Sequence, residues 1–207
     1  MPELPLGLSL WLDLAGTFVF GLSGAMLGVR KGLDAFGLVV LALAAGLAGG
    51  VLRDVALGAT PPAGLADSRY LLAAMAAAAT VFFAHRLIER ATKPVMLMDS
   101  LGLGLFAVAG CTKALAFGLD PLPAVLLGVV SAVGGGALRD LLVAETPRVL
   151  KEEVYALAAL LGAAIAALGA RMEWSETATA AAAVALTCLL RVVSVRRGWR
   201  APKAPGS

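Results

Sequence analysis

Gly49-Gly50-Val51-Leu52-Arg53-Asp54 closes one apolar run, and Gly135-Gly136-Ala137-Leu138-Arg139-Asp140 closes another, 86 residues further on. Aligned on itself at that offset without a gap, the chain also pairs Asp13 with Asp99, Gly16 with Gly102, Phe20 with Phe106 and Gly24 with Gly110. Gly32-Leu33-Asp34 falls on Gly118-Leu119-Asp120, and Thr60-Pro61 on Thr146-Pro147. Most of the chain is therefore one unit written twice. Duplicated apolar helices that are interrupted by glycine and carry charges point to a transport pathway at the interface of two halves.

The composition says what surrounds this repeat. With 60% hydrophobic and 15% charged residues and a mean hydropathy of +0.90, a chain of 207 residues cannot hide its apolar surface in one soluble core. The apolar runs have the length that crosses about 30 Å of hydrocarbon as helix, and they lack the two-residue alternation of barrel strands. Seven spans are expected: Leu8 to Val29, Ala35 to Leu57, Tyr70 to Ile88, Val95 to Phe117, Leu122 to Ala144, Val154 to Ala170 and Thr177 to Val195. Met1-Pro2-Glu3-Leu4-Pro5 has no basic n-region and the first run contains Asp13, so that run is expected to remain as a span. The fold class is thus an all-α membrane protein in the cell's inner (plasma) membrane. Residues 1–207 form one transmembrane domain, with repeat one at 8–88, repeat two at 95–170, a seventh helix at 177–195 and a basic tail at 196–207.

Each repeat holds three spans, an odd number, so the second copy enters the membrane from the opposite face. The repeats are inverted. Thirteen Lys and Arg residues fall on the side of loops one, three and five and the tail, against Arg53, Arg69, Lys113 and Arg171 on the other. The positive-inside rule then puts the N-terminus outside and the C-terminus in the cytoplasm. The same distribution explains the net charge of +3 and the pI near 9.1 as membrane anchoring, and nucleic-acid binding is not expected. Cys111 and Cys188 lie in apolar runs without ligand neighbours and read as small hydrophobes.

The candidate site residues lie in and around the duplicated motif. Gly46, Gly49, Gly50, Gly134, Gly135 and Gly136 are followed by further apolar sequence, so they fall inside their spans. At about 1 kcal/mol of helix propensity each, such clusters favour a kink or a short unwound segment whose freed carbonyls line a wet cavity. The alternative is close helix packing. Arg53, Asp54, Arg139 and Asp140 place charges at membrane depth, where each costs about 2.5 to 3.5 kcal/mol or more. They either flank a narrow polar path or clamp the broken helix. Asp13 and Asp99 suit the positive ends of their helix dipoles, and each could also pair with the repeat arginine on its own side. Lys113 reads as a snorkelling residue, or as a gate on the path. The lone His85 reads as solvated. No zinc signature, glycine-elbow serine or phosphate-binding loop is present, so catalysis is not expected.

Seven spans, inverted three-helix repeats and the doubled Gly-Gly-x-x-Arg-Asp motif together resemble the prokaryotic trimeric intracellular cation (TRIC) channel family, also labelled a glycine-transporter-like membrane domain. The resemblance runs from Leu8 to Val195. It implies a homotrimer with one hourglass pathway per protomer around kinked second and fifth helices, passing monovalent cations, potassium or sodium, with no other cofactor. Carried over by motif, Gly49, Gly50, Gly135 and Gly136 would be the kink positions, with the Arg-Asp pairs beside the pathway. The lysine motif and phosphoinositide binding of the animal channels find no match, and Arg196, Arg197, Arg200 and Lys203 are expected to touch anionic headgroups non-specifically. Two functions follow: a potassium-permeable channel, or a carrier of a small zwitterion such as glycine.

Overall fold

A computed structural model describes residues 7–88, 94–151 and 154–199. Its helices are α1 (Leu8–Arg30), α2 (Ala35–Ala56), α3 (Ala63–Ala66), α4 (Ser68–Ile88), α5 (Pro94–Ala116), α6 (Pro121–Leu142), α7 (Arg148–Lys151), α8 (Val154–Arg171) and α9 (Glu176–Arg197). Seven of them are long and apolar enough to cross a membrane, within a residue or two of the expected spans. Arg200 and Lys203 of the basic tail lie outside the described residues.

The short connections follow from local chemistry that the repeat copies. The turn after α1 places Gly32 at φ 70° and the turn after α5 places Gly118 at φ 84°. Each is followed by a backbone bond that reaches back across the helix end, Leu33 N–H to Gly28 O and Leu119 N–H to Ala114 O. This is a glycine-terminated helix end, which requires the left-handed backbone. The next helix then starts on an aspartate: Asp34 accepts a bond from Gly37 N–H at 2.8 Å, whereas Asp120 makes no such bond, because Pro123 stands at the position equivalent to Gly37 and has no N–H to give.

α1 and α5 form the centre of the bundle. α1 packs on α2, α4 and α5, while α5 packs on α1, α6, α8 and α9, and α2 crosses α6. Contacts between the halves are reciprocal. A Cβ on Gly16 would meet the Phe106 ring at 3.0 Å, and one on Gly102 would meet the Phe20 ring at 2.7 Å. A Cβ on Gly49 would overlap the Ser131 carbonyl oxygen, and one on Gly135 would overlap that of Ala45, the residue equivalent to Ser131. Such pairing, in which i meets j′ and j meets i′, is the signature of a two-fold relation.

The glycine clusters depart from the expectation of an unwound segment. α2 runs as helix through Gly46–Gly50, and α6 through Gly134–Gly136. Unwinding in hydrocarbon would strand N–H and C=O groups at several kcal/mol each. That exceeds the propensity cost of about 1 kcal/mol per glycine, and the absent side chains let two helix backbones touch.

Candidate functional site: two ionic clusters about an aromatic waist

The motif charges assemble with groups from other helices into two buried clusters. At one end of the bundle, Arg53 on α2 donates to both carboxylate oxygens of Asp13 on α1, at 2.7 and 2.9 Å. Its Nε also reaches Asp54 at 2.8 Å, so the adjacent pair bond each other although neighbours on a helix point in different directions. Asp54 also accepts from Lys113 Nζ of α5 at 2.8 Å and from Ala63 N–H at 2.9 Å. The Tyr70 hydroxyl, in the first turn of α4, donates to Asp13 at 3.3 Å. Two acids face two bases, and Arg53, Asp13 and Asp54 are at most 2% exposed.

At the other end, Arg139 on α6 donates at 2.6 Å both to Asp99 on α5 and to the Ser23 hydroxyl on α1. It also reaches Asp140 through Nε and Nη2 at 2.9 and 2.8 Å. Asp140 accepts from Arg148 N–H at 3.0 Å, and the Arg148 guanidinium stands 3.7 Å from Asp99. This cluster is neutral as well. Arg148 supplies the second positive charge that Lys113 supplies at the Asp13 end, from a different place in the repeat.

Asp13 and Asp99 thus pair with the repeat arginines; each is the sixth residue of its helix, beyond the first turn, so the ion pair rather than the helix dipole accounts for its place. Lys113 does not snorkel. Its side chain is only 11% exposed and is held by Asp54, because the bond to a buried carboxylate outweighs a reach towards the interface. Both motif aspartates additionally cap short helices, Asp54 capping α3 and Asp140 capping α7. That task is invisible in the sequence, since α3 and α7 are four-residue turns after the duplicated Thr-Pro.

Ten residues of α1 separate Asp13 from Ser23, so the two clusters stand about 15 Å apart along that helix. Between them the Phe20 and Phe106 rings stack across the pseudo-two-fold with centroids 5.7 Å apart. On the Asp13 side of this waist lies a cavity of about 10 Å³ bordered by Asp13, Thr17, Gly46, Gly50, Arg53 and Phe106, which is room for about one water. The buried Thr17 and Ser131 hydroxyls have no hydrogen-bond partner. Gly46 and Gly50 border the cavity, whereas Gly49, Gly134 and Gly135 lie in the α2–α6 crossing and Gly136 lies beside Asp99 and Arg139.

Sequence reasoning passed over Ser23, Tyr70, Arg148, Tyr155 and Arg191. Arg191 is 1% exposed within α9; a cation about one turn inside the expected end of the seventh span at Val195 was the available signal. Outside the helices, Lys31 and Glu145 pair at 2.7 Å and join the turn after α1 to the segment after α6. The Lys31 hydrogen bond holds the Glu145 carboxyl below its usual range. Among the described residues no three His, Cys, Asp or Glu side chains converge as a metal site.

This is the architecture of a multi-pass membrane protein with the TRIC channel fold. Superposed on the TRIC trimeric intracellular cation channel orthologue from Rhodobacter sphaeroides, the chain is 35% identical with a TM-score of 0.86, covering 92% of this chain and 98% of that one. A second TRIC cation channel structure gives 30% identity and a TM-score of 0.83 over 95% and 97% of the two chains. The chain belongs to the family described as Glycine transporter, whose model matches it twice, at residues 10–86 and 96–171. Relatives include the UPF0126 membrane protein of Deinococcus radiodurans, 42% identical over 93% of this chain and 90% of the relative. The inner membrane protein YadS of Escherichia coli is 35% identical over 93% and 94%.

Proposed function

We propose that this protein is a channel for monovalent cations, permeable to potassium, with one pathway in each protomer of a homotrimer. The observation that carries the reading is the pair of neutral, buried ionic clusters on either side of an aromatic waist, in the fold of TRIC cation channels. Trimerisation is carried over from the trimeric orthologue. By the positive-inside rule the Asp13 end faces outwards.

In the state described, each acid is matched by a fixed base, so the path is closed electrostatically at both ends. A permeating cation takes the place of Lys113 on Asp54 at one end and of Arg148 on Asp99 at the other. The acids are thereby exchanged from an internal cation to a mobile one, without ever standing uncompensated in low dielectric. At the waist, Phe20 and Phe106 form a constriction of the kind that gates by dewetting, and the Thr17 and Ser131 hydroxyls and nearby carbonyls replace part of the ion's water. Gly46 and Gly50 leave the room for this beside the cavity. The glycines of the α2–α6 crossing provide the smooth surface on which the two repeats shift.

A second reading, a carrier of a small zwitterion such as glycine, is favoured by the family's description and by clusters that offer a carboxylate and a guanidinium together. Planar bilayers decide between them. Purified protein gives unitary currents that reverse at the potassium equilibrium potential. Absence of current, together with saturable counterflow of labelled glycine in liposomes, overturns the channel reading.

A further inference from the structure

α9 stands outside the repeat, yet it contributes a cation to the bundle interior. Arg191 is 1% exposed, and its guanidinium carbon lies 4.9 Å from the centre of the Tyr155 ring. Tyr155 is itself 1% exposed and heads α8. Its hydroxyl lies over Gly136, where a Cβ would meet it at 2.9 Å, with Asp99 Oδ1 at 3.6 Å and Arg139 Nη2 at 3.7 Å from the same point. The equivalent position in repeat one, Gly50, has nothing nearer than 3.8 Å, and the small cavity opens beside it. Both ends hold a buried phenol, Tyr70 on Asp13 and Tyr155 beside Asp99, but they differ in use: the space over Gly50 is open, whereas the space over Gly136 is filled by Tyr155 with a cation stacked on its ring.

α9 is anchored here by three contacts to α8 and α5. A Cβ on Gly162 of α8 would overlap the Thr187 hydroxyl, one on Gly104 of α5 would meet the Val184 carbonyl at 3.1 Å, and Cys188 bonds the Ser100 carbonyl at 3.3 Å. The guanidinium is thus held in place by its helix, and a cation over an aromatic face orients the ring as well as attracting it.

We infer that Arg191 is a positioning residue for the pathway, which holds Tyr155 as a plug over Asp99 and Arg139 and so lets α9 set how tightly the Asp99 end closes. The conduction half of this statement rests on the channel reading, but the positioning half does not. The chain has only two tyrosines, so full-length protein labelled with 3-fluorotyrosine gives one ¹⁹F resonance for Tyr155 and one for Tyr70 as an internal control. Arg191→Met displaces the Tyr155 resonance and leaves that of Tyr70 in place, while Arg191→Lys, which keeps a cation on the ring, stays near wild type. In bilayers Arg191→Met raises open probability at least about threefold, the factor a modest cation–π contact supplies, and has no further effect in a Tyr155→Leu background. If Arg191→Met does not fold, Arg191→Gln serves in its place. An unmoved Tyr155 resonance, displacement of both resonances together, or independent effects of the two substitutions on open probability overturns the inference. A wild-type protein that passes no cation current overturns the channel reading instead, and the resonances still decide the positioning.

Discussion

Gly49 and Gly50 are neighbours in one motif, and alanine at the two positions is expected to act in opposite directions. A Cβ at Gly49 would overlap the carbonyl oxygen of Ser131 and come within 3.1 Å of its carbonyl carbon. The obstacle is backbone, so no rotamer change relieves it, and α2 must withdraw from α6. Overpacking of this kind costs about 1 to 3 kcal/mol, with rigid obstacles at the upper end, and replacing a helical glycine returns about 1 kcal/mol. The net loss for Gly49→Ala is about 2 kcal/mol, which for a chain of this size lowers Tm by about 4 to 8 °C. At Gly50 the nearest atoms to a new Cβ are 3.8 Å away, so Gly50→Ala keeps the propensity gain and raises Tm by about 2 to 4 °C. Gly135→Ala, which meets the Ala45 carbonyl, repeats the loss seen at Gly49. The two losses combine to less than their sum, because one separation of the helices relieves both clashes. Thermal unfolding of the four variants in a single detergent measures all of this. Equal destabilisation at Gly49 and Gly50, or a neutral Gly49→Ala, refutes the close crossing of α2 and α6.

Three further outcomes are expected. Asp140→Asn removes a charged acceptor from Arg139 and from Arg148 N–H; leaving a buried guanidinium short of a partner costs about 3 to 5 kcal/mol, read as a lower Tm with altered conductance or assembly, and unchanged behaviour in both removes Asp140 from the site. Ala144, at φ 56°, occupies the left-handed position that its equivalent Gly58 occupies at φ 69°, so Ala144→Gly stabilises by about 1 kcal/mol and Gly58→Ala destabilises by a similar amount, both readable in the same unfolding assay. The Glu145 carboxyl is held below its usual range by Lys31, so its contribution is present above the ordinary carboxylate pKa and is lost as pH falls through the lowered value; this pair is exposed and contributes well under 1 kcal/mol, and Glu145→Gln flattens the acid side of the Tm profile by that small amount.

The seven helices and the duplication can be read from the residues alone. Span length is set by bilayer thickness and by the need to satisfy every backbone polar group inside hydrocarbon, and both demands are written in local composition. Asp13, Arg53, Asp99 and Arg139 were legible as a set because they recur at one offset, and a charge at membrane depth calls for a partner. Three things were not legible. The glycine clusters permit either a break or a close crossing, and only the position of Ser131 and Ala45 on the opposing helix selected the crossing. Lys113, Arg148, Ser23 and Tyr155 obey no repeat, since each satisfies a cluster from a different element. Arg191 resembled a flanking charge until α9 was seen packed on α5 and α8. Pairing across the bundle depends on which side chains meet after the helices pack, and that decided how Gly-Gly-x-x-Arg-Asp is used: the first glycine of each motif, Gly49 or Gly135, lets α2 and α6 cross closely, and the Arg-Asp pairs organise both the charge clusters and the short helices that their aspartates cap.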